Sequence, residues 1–187
     1  MLRCKNGQIQ SLACNLFAVY VNVNYCRAFP IPFSHHEVLM KLLLPEDKKP
    51  VHVTTMPIRW GDMDALGHIN NTVYFRYFEE ARVRWLTEGG RSMVEGGEGP
   101  VVVNVFCNFF SQVEYPGDLL IRQYISNVGR SSCDVWMTME RTDQPGRIVA
   151  DGGCTMVWVN YAAQKSVRLP QWVLELLNQA LPEQQPA

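Results

Sequence analysis

The chain has no excess of charge of either sign. Its 187 residues carry 17 Lys and Arg against 18 Asp and Glu, a formal net charge of -1. No basic field therefore draws it to nucleic acid or to an anionic membrane surface. Metal-binding spacing is missing as well, since no C-x-x-C and no Cys/His pair stands at zinc intervals. No metal or other cofactor is expected. The six cysteines, Cys4, Cys14, Cys26, Cys107, Cys133 and Cys154, are scattered. The last three fall in strand-like runs, where a buried free thiol is the expected state. A reducing cytoplasm suits them. There is no G-x-S-x-G elbow to supply a nucleophilic serine. An uninterrupted membrane-length hydrophobic run is also missing. The apolar stretch "SLACNLFAVYVNVNYCRAF" is broken by Asn15, Asn22 and Asn24 and is too short to span a bilayer.

What is present is an ordinary globular composition, 47% hydrophobic and 19% charged. The length suits one domain that buries its core without disulfides. Residues 1-39 show no helical or strand period and read as an extension outside that domain. Arg3 and Lys5 precede an apolar stretch, as in a signal peptide, but a small-x-small cleavage site is lacking. "MKLLLPEDKKP", beginning at Met40, reads as a natural polar start, which makes 40-187 a single domain. A chain beginning at Met40 is expected to fold and behave like the whole.

Within that domain, "VHVTTMPIR" (51-59) alternates as a strand. The loop "RWGDMDALGHINN" (59-71) follows, then the long helical run "NTVYFRYFEEARVRWLTEGG". Asn70 or Asn71 serves as its N-cap, and Gly89-Gly90 end it. Tyr74, Tyr77, Phe78, Ala81 and Trp85 recur at helical spacing, and Phe75 and Leu86 widen that face, so the helix should be largely buried. Arg76, Glu80, Arg84 and Glu88 stand four apart with alternating sign and read as a solvated stripe. Four strands are predicted after a Gly-rich connection, over 101-115, 119-129, 132-142 and 147-160, with turns at 116-118 and 143-146. Gly152-Gly153 mark a bulge or a close approach. A short helix over 170-181 closes the chain. Sequential strands with tight turns imply an antiparallel sheet, with the one long helix across a face, an α+β fold.

The loop carries the chemistry. An EF-hand register would place Asp62, Asp64 and Gly67 at positions 1, 3 and 6, but Leu66 and Val73 would then fall where oxygen ligands are needed. Capping and turn formation explain Asn70 or Asn71 and Gly67, yet leave Asp62, Asp64 and His68 without a purpose. A third reading joins all of them. A helix N-terminus offers unpaired N–H groups and the positive end of the dipole, which stabilise an oxyanion. A carboxylate just upstream can attack a carbonyl or activate water to do so.

The stretch "RWGDMDALGHINNTVYFRYFEEAR" (59-82) resembles the signature of the hotdog-fold acyl-CoA thioesterases, the 4-hydroxybenzoyl-CoA thioesterase-like family. The pattern aromatic-x-D-x-D-x-x-G-H-x-x-N-x-x-Y is met by Trp60, Asp62, Asp64, Gly67, His68, Asn71 and Tyr74. "NVGRSSCDVWMTM" (127-139) resembles the family's G-x-S strand start. The resemblance covers about residues 51 to 160. It implies a curved sheet wrapped around one long helix, and hydrolysis of an acyl-CoA thioester. It also implies a homodimer at least, with a tetramer expected, and a site between subunits. By position it makes Asp64 the catalytic carboxylate, with the amide of Asn71 holding the thioester oxygen. His68, Gly67 and Tyr74 would shape the site and Asp62 would brace the loop. Arg130, Ser131 and Ser132 are candidate contacts to the CoA phosphates. Some members place a glutamate on the helix instead, which makes Glu79 and Glu80 alternatives. A non-catalytic acyl-CoA binding module or sensor, and a hydratase, use the same fold.

Overall fold

The computed structural model describes residues 43-178. The expectations for residues 1-39, and for the last turn of the terminal helix, lie outside that range. Strand β1 (Lys49–Pro57) leads through a short 3-10 turn (Trp60–Asp62) into helix α1 (Asn71–Thr87). β2 (Glu98–Phe109), β3 (Asp118–Ser126), β4 (Ser132–Arg141) and β5 (Ile148–Asn160) follow, then the two-residue β6 (Lys165–Ser166) and helix α2 (Gln171–Asn178). The sheet order is β1-β3-β4-β5-β2, with β6 beside β5, and every pairing is antiparallel. One sheet face carries α1, as the α+β hotdog arrangement requires.

α1 packs as its spacing predicts. Tyr74, Tyr77, Phe78, Ala81, Trp85 and Leu86 are buried, against Met56, Leu119, Ile121, Met139 and Met156 of the sheet in one core. Phe75, assigned to the same face, is only half-buried. Each large apolar side chain withdrawn from water contributes about 1.5–3 kcal/mol, so this stripe holds the helix down. Asn70 is the N-cap, its side chain accepting from Thr72 N at 2.9 Å, and Asn71 is the first helical residue.

The polar stripe of α1 is more than a solvated face. Glu80 takes Arg59 of the loop at 2.9 Å and Arg84 at 2.6 Å. Arg84 also reaches Thr54 Oγ1 at 3.3 Å. Half-exposed pairs of this kind contribute under about 1 kcal/mol each. Their effect is placement, since they clip the loop and β1 to one side of the helix.

β2 ends at Phe109, six residues before the predicted limit. Past Phe109, the N–H groups of Phe110 and Ser111 both turn to the carbonyl of Val149, at 2.9 and 3.2 Å. The rest of the alternating run does pair, but with the motif loop. Ile69 N donates to Val113 O at 2.8 Å, and His68 bridges Glu114. Gly152 and Gly153 are a close approach, since the ladder on both sides runs through them without a shift. A Cβ at Gly152 would collide with the carbonyl of Phe106 and lie 2.9 Å from Phe78 of α1. One at Gly153 would lie 2.7 Å from the Trp136 ring. Among the strand thiols, Cys133 and Cys154 are buried and Cys107 half-buried, all three free.

Candidate active site

The loop between β1 and α1 is closed by its own backbone. Asp64 N donates to His68 O at 2.7 Å, and Gly67 N to Asp64 O at 3.1 Å. Gly67 adopts φ +78° with open space around its Cα, so it is there for backbone conformation and not for clearance. The Asp64 carboxylate completes the turn. Its Oδ1 accepts from Leu66 N at 2.7 Å and from His68 N at 3.2 Å. Oδ2 makes no hydrogen bond among the described residues. One oxygen is thus held by two amides, and the other has no partner among the described residues.

α1 begins directly beyond. Asn70 spends its side chain on the amide and hydroxyl of Thr72, and its carbonyl takes Val73 N at 2.9 Å. The N–H of Asn71, the first residue of the helix, has no acceptor among the described residues. An open helix-terminal N–H and a carboxylate oxygen therefore share one loop.

The other motif residues fall around this pair. Tyr74 is buried, its ring edge-on to Phe109 at 5.0 Å. Burial, with Cys107 and the Asp64 carboxylate nearby, pushes its phenol up to about 12, so Tyr74 is a neutral wall of the site at ordinary pH. The backbone of His68 serves Asp64, while its Nε2 turns the other way, to Glu114 Oε1 at 3.5 Å. Asp62 is buried and faces away from the loop surface, accepting from the Tyr77 hydroxyl at 2.5 Å. Of the helix alternatives, Glu79 is exposed. Burial alone would raise Glu80, but the guanidiniums of Arg59 and Arg84 outweigh it and hold that carboxyl below its usual range. It is engaged with these two cations and makes no hydrogen bond to Asp64.

Arg130, Ser131 and Ser132 are not brought to Asp64 within one chain. β3 starts at the loop end, Asp118 opposite Pro57, and runs its nine residues away from it, roughly 26 Å at strand rise. At that far end Arg130 O accepts from Leu169 N at 3.0 Å and Ser131 O from Trp158 N at 2.7 Å. Clefts of about 250 Å³ beside Lys49 and Leu174, and about 240 Å³ beside Trp158 and Trp172, also lie away from Asp64. Asp64 itself is half-buried. The sequence reading missed the work of Tyr77 and Glu80. For Tyr77 the available signal was a hydroxyl on the buried helix face, a signal that Tyr74 carries too.

A family model described as the thioesterase-like superfamily matches residues 58–177. The YsmA protein of Bacillus subtilis strain 168 is 29% identical over 110 residues, 59% of this chain and 74% of that protein. The PA2801 protein of Pseudomonas aeruginosa is 34% identical, with a TM-score of 0.65 over 68% of this chain and 98% of its own. Slr0204, a 1,4-dihydroxy-2-naphthoyl-CoA thioesterase from Synechocystis, superposes with a TM-score of 0.63 over 68% of this chain and 95% of its own. At 16% identity that last likeness is one of fold.

Proposed function

Because the chain belongs to the thioesterase-like superfamily and is a thioester hydrolase, we propose that it cleaves acyl-CoA to a free acid and CoA with Asp64 as the catalytic carboxylate. The observation that carries this reading is the division of labour at Asp64, with Oδ1 held by two loop amides and Oδ2 without a partner among the described residues, in the loop that leads to the unpaired Asn71 N–H. The Asn71 N–H receives the thioester oxygen as negative charge builds on it. Two routes use Oδ2. It attacks the carbonyl carbon, CoA leaves as the thiolate, and water then hydrolyses the acyl-aspartyl anhydride. Alternatively it takes a proton from water, whose oxygen attacks, and the departing thiolate recovers that proton. Tyr74 and His68 shape the acyl side of the site, and Asp62 braces the loop.

The separation of Arg130, Ser131 and Ser132 from Asp64 in one chain supports completion of the site by a second copy of the chain. β2 is an edge strand of twelve residues, with Val102, Val103 and Val105 exposed at 40%, 60% and 52%. A long apolar edge of that kind is a template for pairing. We assign a homodimer through that edge, and a tetramer as the further assembly. Arg130, Ser131 and Ser132 then reach the CoA phosphates from the partner copy. Among the described residues no helix is long and apolar enough to cross a membrane.

The test is release of free CoA, followed with a thiol reagent, across acyl-CoAs of differing chain length and aromaticity. Turnover of at least one supports the reading. Tight binding with no turnover of any favours a binding module, and loss of the acyl double bond without thiol release favours a hydratase.

A further inference from the structure

Tyr77 lies on the buried face of α1, yet its hydroxyl does not end in the core. It donates to Asp62 Oδ2 at 2.5 Å and stands 3.4 Å from the carbonyl of Pro57. Both side chains are nearly sealed, Tyr77 at 2% and Asp62 at 5% exposure. Asp62 in turn spans the loop. Its N–H donates to Arg59 O at 3.0 Å, and its carbonyl accepts from Asn70 N at 2.9 Å. One residue therefore touches the start of the loop, the N-cap of α1 and, through Tyr77, the next turn of that helix. Asp64 is two residues further on. Outside the seal, Arg59 lies 5.9 Å over the Tyr77 ring and pairs with Glu80, a second tie between the same loop and the same helix face.

A phenylalanine would fill the core at position 77 as well as a tyrosine, as Phe78 does beside it. The hydroxyl's short bond goes to Asp62, whose buried carboxylate would otherwise lack a side-chain donor. Asp62 and Tyr77 are both sealed from solvent, so neither is placed to touch the reacting atoms. What their bond controls is where the loop sits on the helix, and so the placement of Asp64 Oδ2 relative to the Asn71 N–H.

We infer that Tyr77 is a positioning residue of the thioesterase site, acting through Asp62 to hold the Asp64 loop in register with the N-terminus of α1. The inference rests on Asp64 being the catalytic carboxylate. Misplacement of a catalytic group by about 1 Å costs on the order of 10²-fold in rate. Tyr77→Phe, which frees the loop without emptying the core, should lower kcat about 10-fold or more and leave KM within about 3-fold. Asp62→Asn keeps an oxygen for Tyr77 to donate to and should retain more turnover than Asp62→Ala. It also reads the same link should Tyr77→Phe fail to fold. The decisive arm is Tyr77→Phe in the Asp64→Asn background. A positioning role predicts no further loss of kcat there, whereas a merely structural role predicts the same fold-loss as in the wild type. Wild-type kcat in Tyr77→Phe, or that additive loss with Asp64→Asn impaired, overturns the inference alone. Full turnover in Asp64→Asn overturns the assignment of Asp64 and this inference with it.

Discussion

At the scale of single residues, the motif loop was legible because each member has a local purpose that spacing exposes. Gly67 supplies a positive φ, Asn70 caps, and Asp64 precedes the helix. What spacing could not expose is long-range. Tyr77 and Glu80 read as core and surface until the fold brings Asp62 and Arg59 to them. His52 is a further case. It sits opposite Gln123 on the helix-facing side of the sheet, and its Nδ1 is buried without a partner. Burial depresses its basicity, Arg84 adds to this, and Glu88 opposes it. In the unfolded chain the imidazole takes its proton near 6.5, and in the folded chain only at lower pH. Stability contributed by neutral His52 is therefore present above pH 6.5 and is lost as pH falls through the folded value. Wild-type thermal midpoints should decline as pH drops below about 6.5, and His52→Gln should flatten that decline. An identical slope in the two proteins would contradict the assignment.

At the scale of elements, α1 and five of the six strands were readable from period and turn signals, and the misplaced limits have physical causes. The run after Phe109 alternates like a strand because it is one in hydrogen bonding, but its partner is the motif loop. β6 is two residues long, too short to carry a period. Gly152-Gly153 announced a special place on β5 without saying which kind, since a bulge and a close approach both require a missing side chain. The structure separates them by what stands opposite, a strand carbonyl and Phe78 of α1. A backbone oxygen cannot step aside as a side chain can. Gly152→Ala should destabilise the fold by about 1–3 kcal/mol, the usual range for overpacking. Gly61→Ala, with nothing within 4 Å of its Cβ position, serves as a near-neutral control. Equal urea midpoints for the two variants would mean that α1 does not press on β5 at this point.

At the scale of the whole molecule, one chain leaves Arg130, Ser131 and Ser132 away from Asp64 and an apolar edge strand uncovered. Under the proposed function a second copy along β2 would meet both, an expectation that came only from the resemblance, because assembly leaves no period in a chain. Light scattering at micromolar concentration should give a mass of at least two chains. Val103→Lys with Val105→Lys, which places charge on the pairing edge, should yield monomers with little turnover, and a fully active monomer would refute the assembly. The central claim concerns that assembly's chemistry, and Asp64→Asn tests it most directly. The amide is neither basic nor nucleophilic but is nearly isosteric, and the Asn71 N–H remains to receive the thioester oxygen. CoA release should fall by at least about 10²-fold, with acyl-CoA affinity within a few fold of the wild type. Retention of most turnover with every acyl-CoA that the wild type hydrolyses would contradict the account.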